Sequence, residues 1–519
     1  MYFYAINRAS MLNYTSQNQL EIFNFKTEFE SKLDSKNRWV RLAKLLDWDS
    51  FATIYGANLS STMGAKGVDA RVVLGALIIK HIERKDDRGT IEMIAENPYM
   101  QFFLGFDHFS SSPIFDPSLF VHIRKRLGND SFDKMNEIII AKALNISNKE
   151  DFSNKDSLSD SNDNDTNLTQ KNTEVPKNIG KLQLDATIAD ANIKYPTDLG
   201  LLNDAREKSE KIIDLFCASL QIQKPRTYRI EARKKWLNLS KKKNRKYKEI
   251  RKGVGQQLNY LKRNLKNINK IIDNNPLILC DLDKNMYKYL LVIDELNRQQ
   301  SEMFKLKTQS IQHRITSIHQ PHVRPMVRGK QGKNVEFGAK INVSLQNGYG
   351  RIDQVDFEAF NEGVYLKDQI ERYKKLNGYY PELVQTDDIY MTRENRKFLK
   401  ENNIRHTGRP LGRKPKIELT KKEKQIQRIE KNERNQIEGK FGQAKAKYNL
   451  NHIMAKLENT SKSWIASIIF VINILKLSRD ILCHFLKSIF WILFLENNQA
   501  KNLQAIKIKK VEKYFFSKP

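Results

Sequence analysis

Residues 181–196 read KLQLDATIADANIKYP, and this stretch decides the fold. Leu182, Leu184 and Ala186 alternate with Gln183, Asp185 and Thr187, the period-two pattern of a half-buried strand. An acid in mid-strand costs free energy unless it is paired or ligating. Asp185 is therefore a candidate metal ligand, with a solvent-facing strand residue as the plain alternative. Two more segments share the strand character. Residues 336–360, EFGAKINVSLQNGYGRIDQVDFEAF, contain QNGYG, which predicts a hairpin turn. Residues 381–390, PELVQTDDIY, are a short apolar run ending in Asp387 and Asp388. Ligands gather at the C-terminal ends of strands in open sheets, but periodicity does not say which aspartate points inward. ENRKFLKENNI (394–404) predicts a helix and IRHTG (404–408) a short strand.

A third acid lies in ERNQIEGKFGQAKAKYNL (433–450), where Glu438 sits among Arg434, Lys440, Lys445 and Lys447. Helical steps of about 100° put Arg434, Glu438 and Lys445 within roughly 40° of one another. Ile437, Phe441, Ala444 and Tyr448 make an adjacent apolar stripe. A surface pair of Arg434 with Glu438 is worth only about 0.3–0.5 kcal/mol, and that reading leaves Asp185 and Asp387 unexplained. Strands, then a helix, with acids at their ends point to a ribonuclease-H-like α/β domain. Carboxylates converging from separate segments suit Mg²⁺, a hard cation that keeps several waters and needs few protein ligands. Two such ions about 3.5–4 Å apart serve phosphoryl transfer.

The chain has 519 residues, enough for two or three domains. Ninety Lys+Arg against 60 Asp+Glu give a formal charge of +30, which points to a polyanion, with nucleic acid first and an anionic membrane surface second. Cys217, Cys280 and Cys483 are far apart, which excludes a disulfide scaffold or zinc finger and suits a reducing compartment. MYFYAINRASMLNYTSQNQ at the N-terminus lacks a basic region followed by an apolar run, so no signal peptide is expected. The membrane candidate is WIASIIFVINILKLSRDILCHFLKSIFWILFL (464–495), split by Lys476, Arg479 and Asp480. A spanning helix needs about 20 uninterrupted apolar residues, so two buried helices and no membrane are expected. His313, His319 and His322 have no matching cysteine and read as loop or phosphate contacts rather than a zinc site. GRPLGRKPK (408–416) reads as a basic loop near DNA.

The expected organisation is a helical DNA-binding domain over 1–145, a disordered linker over 146–179, and a catalytic domain over 180–205 and 316–460. A basic helical insertion occupies 206–315, and C-terminal helices with a basic tail occupy 461–519. DARVVLGALIIKHI (69–82) is an apolar helix with Asp69 as its cap, and Pro98 interrupts TIEMIAENPYMQFFLGF (90–106). DPSLFVHIRKRLG (116–128) puts Leu119, Ile123 and Leu127 on one side and Arg124, Lys125 and Arg126 toward another, which fits a helix that binds DNA and equally a solvated basic face. The 146–179 segment has almost no apolar residues. In the insertion, Val254, Leu258, Leu261, Leu265, Ile268 and Ile272 form a coiled-coil seam before Pro276, which predicts an antiparallel helical hairpin.

These blocks resemble the DDE insertion-sequence transposases, specifically the bacterial insertion-sequence family five, related to family four. The resemblance covers nearly the whole chain outside the linker. It rests on DPSLFVHIRKRLG, LQLDATIADANIKYPTDLGLLNDARE, VRPMVRGKQGKNVEFGAKINVSL, TDDIYMTRENRKFLKENNIRHTGRPLGRKPK and RNQIEGKFGQAKAKYNLNHIMAKL, in that order. The family's Tyr, Arg, Glu, Lys signature fits Arg434, Glu438 and Lys445, whereas its Tyr position holds Lys431. The family places its second Asp three residues before a Tyr, so Tyr390 selects Asp387. The resemblance implies a catalytic and metal-binding triad of Asp185, Asp387 and Glu438 holding Mg²⁺, or Mn²⁺ in its place. It implies phosphate contacts by Arg434 and Lys445, cleavage at the element's inverted repeats, and attack of the freed 3′-hydroxyl on target DNA. A homodimer on double-stranded DNA and a cytoplasmic, nucleoid-associated location follow from it. Trp236 is a candidate aromatic wedge on end DNA. The competing readings are a catalytically inactive or domesticated DNA-binding protein, a nuclease without strand transfer, and a membrane protein.

Overall fold

The computed structural model describes residues 14, 32–59, 67–153, 178–327, 335–410, 412 and 420–496. Its centre is β1 (Lys181–Asp190), buried at Leu182, Leu184, Ile188 and Ala189. Between β1 and the remaining strands lie α8 (Asp198–Ser219), α9 (Arg229–Lys241), α10 (Tyr247–Asn274) and α11 (Lys284–Leu306). Then come β2 (Arg324–Val327), β3 (Val335–Gln346), β4 (Tyr349–Asp356), α12 (Leu366–Asn377), β5 (Leu383–Gln385), α13 (Arg393–Glu401) and β6 (Arg405–His406). β3 runs antiparallel along β1, with Asp185 opposite Val343, and β2 and β4 share the far edge of β3. On the other side of β1, β5 and then β6 add in parallel. Asn347 and Gly348 close the β3–β4 hairpin at φ 52° and 78°, the positive-φ pair of a tight primed turn. Gly338 is needed where β3 crosses the end of β1, since a Cβ there would lie 1.9 Å from the Ala189 carbonyl oxygen.

Upstream lie α1 (Arg38–Leu45), α2 (Trp48–Gly56), α3 (Ala70–Glu83), α4 (Asp87–Glu96), α5 (Pro98–Leu104), α6 (Leu119–Arg126) and α7 (Asn129–Ser153). Asp69 caps α3 by accepting from the Arg71 and Val72 amides, and Pro98 opens α5 rather than interrupting a longer helix. The expected linker begins inside α7, which runs to Ser153; residues 154–177 lie outside the described residues, as does most of GRPLGRKPK.

Downstream lie α14 (Lys421–Glu433), α15 (Asn435–Tyr448) and α16 (Glu458–Glu496). The expectation of two helices over 464–495 is corrected: they are one helix. Its charges do not break it because Lys476 pairs with Asp480 at 2.7 Å, and Asp480 also accepts from the Tyr349 hydroxyl at 2.6 Å. No helix among the described residues is long and apolar enough to cross a membrane. The buried length of α16 runs between the upstream helices and the sheet, so one hydrophobic core joins Trp48, Phe51, Phe103 and Phe132 to Phe470, Ile341 and Ile352. Buried Asn473 ties the layers together. Its Oδ1 accepts from the Gly350 amide (3.0 Å) on β4, and its Nδ2 donates to the Gly350 carbonyl (2.7 Å) and to the Asn136 side-chain oxygen (3.0 Å) on α7.

A second core holds the insertion. The expected seam is buried at Val254, Leu258, Leu261, Leu265 and Ile268. It packs chiefly on α8 rather than on α11, because α8 offers Leu202, Ala205, Ile212, Ile213 and Phe216 at matching spacing. α8 begins at Asp198, so the expected insertion boundary at 206 falls inside a continuous helix.

Two outcomes follow. Asn473→Leu strands three buried polar partners, and a loss of about 2–4 kcal/mol is expected, read from hydrogen exchange of the β4 amides. Asp133 on α7 faces Arg372 at 3.6 Å, with Glu137 and Asp353 beside it, and burial pushes its carboxyl up to about 7. Its stabilising contribution is present below the ordinary aspartate range and is lost as pH rises toward 7. Asp133→Asn should therefore raise the thermal midpoint at pH 8 and leave it nearly unchanged at pH 4.

Candidate active site

The three acids arrive on three different elements. Asp185 lies half-buried in the middle of β1, where its Oδ1 accepts from the Ala186 amide at 2.8 Å. Asp387 sits two residues beyond β5, at the entry to a single 3₁₀ turn over 388–390. Glu438 is in the first turn of α15, whose Ile437, Phe441, Ala444 and Tyr448 are buried as the spacing predicts. Burial raises the Asp185 carboxyl to about 6; the neighbouring Asp387 and Glu438 charges raise it too, and the Ala186 amide and Arg434 oppose the rise. Those neighbours show that the acids share one electrostatic environment.

Arg434 lies between them. It forms the joint of α14 and α15, and its side chain is 17% exposed. Its guanidinium pairs with Asp387 Oδ1 at 2.5 Å and with Glu438 Oε1 at 3.1 Å. Asp388 turns elsewhere: it accepts from the Arg409 amide at 3.1 Å and pairs with the Arg409 side chain at 3.2 Å. The turn carrying Asp387 is anchored by buried Tyr390, whose hydroxyl donates to Asn342 on β3 at 2.8 Å. Asn395 on α13 grips the same turn through the Tyr390 carbonyl at 2.7 Å.

Among the described residues no group of three His, Cys, Asp or Glu side chains closes around one point. In the acid site a guanidinium stands between two of the carboxylates instead. The donor set is carboxylate oxygen throughout, which suits a hard divalent cation such as Mg²⁺ or Mn²⁺. Asp387 and Glu438 share the Arg434 guanidinium as a common positive partner, and their oxygens are of the donor type a hard divalent cation takes.

The expected DNA contacts separate on inspection. Lys445 is partly buried on α15, with its ammonium 3.9 Å from Glu336 of β3. Lys125 and Arg126 are exposed on α6. Arg124 is a correction: it is 5% exposed, donates to both oxygens of Asp87 (2.9 and 2.7 Å) and stacks on Trp464. Buried Lys80 also pairs with Asp87, at 2.5 Å, so this charge is spent inside the protein and does not face DNA. Trp236 packs partly buried against the insertion core, with Lys194 over its ring, so it is not a free wedge. The insertion instead presents exposed Lys241, Lys243, Arg245, Lys246 and Lys248 in and beside the α9–α10 turn. The three histidines have separate partners: His313 pairs with Glu358, His319 with Tyr289, and His322 lies edge-on to Phe357.

Sequence reasoning passed over Gln183 and Gln385, which are buried on neighbouring strands. The available signal was an amide inside an apolar run, two residues before Asp185 and two before Asp387.

A family model described as Transposase DDE domain matches residues 384–475, a span that holds Asp387 and Glu438. A second, described as Transposase domain (DUF772), matches residues 27–126. A protein of Rhizobium meliloti, printed as "Uncharacterized protein ORF8 in nfe locus", is 24% identical over 174 residues, covering 34% of this chain and 72% of that protein. No solved structure gives a significant match. Two transposase models match separate parts of this chain, and the first spans two of the three acids, Asp387 and Glu438, so over these spans the chain is similar to DDE transposases.

Proposed function

We propose that the chain is the transposase of an insertion element, of the kind numbered five. It binds the element's terminal inverted repeats, cleaves there, and joins the 3′ ends to target DNA. The observation that carries this reading is that Asp387 and Glu438, from separate segments, share Arg434, with Asp185 on the central strand near enough for their charges to reach it. The sheet supports a ribonuclease-H-like domain, because β4, β3 and β1 run antiparallel and β5 and β6 continue in parallel.

Asp185, Asp387 and Glu438 would hold Mg²⁺, or Mn²⁺ in its place, in keeping with the divalent ions that DDE domains generally use. Such an ion supplies charge neutralisation at the phosphoryl group being transferred. The chain's own residues supply position. Asp185 is fixed by its strand, Asp387 by the Tyr390–Asn342 anchor, and Glu438 by the apolar face of α15. With the carboxylates holding such an ion, Arg434 would be free to pair with a DNA phosphate beside the scissile bond. Lys445 adds a second phosphate contact about three turns further along the same face. Exposed Lys125 and Arg126, and the cations around the α9–α10 turn, give affinity through the backbone charge. Two ends must be joined in one event, so a homodimer forms on DNA and works among nucleoid DNA in the cytoplasm.

Purified protein, Mg²⁺ and labelled end DNA test this. Asp185→Asn and Glu438→Gln should each lower cleavage by about 10³-fold or more while end binding persists. Cleavage undiminished by either change eliminates the site, and tight binding without cleavage by the unaltered chain favours the inactive DNA-binding reading. The two aspartates separate in the same assay: Asp387→Asn should abolish cleavage, and Asp388→Asn should leave it within about tenfold.

A further inference from the structure

Gln183 and Gln385 are buried amides that the chemistry above leaves unused. They lie side by side in the parallel register of β1 and β5, 5% and 0% exposed. Each precedes an acid by two residues, and on β1 this puts Gln183 on the face that carries Asp185. Gln183 Nε2 donates to Gln385 Oε1 and to the Glu433 carbonyl, both at 2.8 Å. Gln385 Nε2 donates to the Glu430 carbonyl at 2.7 Å and reaches the Glu433 carboxylate at 3.3 Å. Lys181, two residues further back, holds that carboxylate at 2.9 and 2.7 Å.

All of these bonds converge on the last turn of α14, where helix carbonyls lack partners of their own. α14 buries none of its side chains. A helix without a buried face has no hydrophobic contact to fix its seat, so hydrogen bonds to its end must do so. The next residue after that end is Arg434, which meets Asp387 and Glu438.

We propose that Gln183 and Gln385 are positioning residues of the acid site: strand-borne amides that grip the end of α14 and thereby set the α14–α15 joint. The strand that carries Asp185 and the strand that leads into Asp387 thus also hold the helix corner that carries Arg434 and Glu438. The proposal rests on the divalent-cation site put forward above.

The test uses the full chain and Mn²⁺ alone as the probe, titrated calorimetrically into wild type, Asp185→Asn, Gln183→Met and Gln385→Met. Methionine keeps the length and loses the hydrogen bonds. Each glutamine variant should weaken Mn²⁺ binding by about tenfold or more. Hydrogen exchange across residues 421–438 of the metal-free protein should quicken while the global melting midpoint holds. Wild-type Mn²⁺ affinity in both variants overturns the positioning role. If wild type binds no Mn²⁺, or Asp185→Asn binds it equally well, the cation site itself fails, which is a separate result. Should a methionine variant not fold, Gln385→Asn keeps the amide and shortens its reach: a similar loss supports the proposal, and full affinity overturns it.

Discussion

Arg434 pairs with Asp387 and Glu438 at one helix joint, and the rest of the site depends on that pairing. Carboxylates brought close together repel one another unless a positive charge lies between them. Two unit charges about 5 Å apart, at an effective dielectric constant of about 20, repel by about 3 kcal/mol. A guanidinium between them removes most of that cost without closing the site, because an arginine side chain can swing out. The half-buried Asp185, which makes no ion pair with Arg434, has its carboxyl raised to about 6, first by burial and then by the Asp387 and Glu438 charges.

The surrounding fold explains why the acids stay together. β1 is the central strand, bonded to β3 on one side and β5 on the other, so Asp185 has little freedom. α15 is seated by its apolar stripe, and α16 behind it is gripped by the upstream helices and by β4 through Asn473. The region read as a separate N-terminal unit therefore shares its hydrophobic core with the sheet.

Much of this was legible in the residues. The alternation in 181–190, the Asn347–Gly348 turn, the Asp69 cap and the stripe on α15 are local patterns, and local patterns decide local structure. What escaped was set by distant partners. Arg124 reads as an exposed cation until Asp87 and Trp464 are folded against it. Lys476 and Asp480 read as a helix break until their i,i+4 pairing is seen. The seam of α10 does not announce that its partner is α8. Gln183 and Gln385 look like ordinary polar positions of alternating strands, and only the register places them together against the end of α14. The choice between Asp387 and Asp388 likewise needed tertiary partners, because each turns to a different arginine.

The most direct measurement is a crystal structure of the protein soaked in Mn²⁺, located by its anomalous scattering. The account predicts manganese among the carboxylates of Asp185, Asp387 and Glu438, with the Arg434 side chain withdrawn from Asp387. Manganese bound elsewhere, or an Arg434 still paired with Asp387 at saturating Mn²⁺, contradicts it.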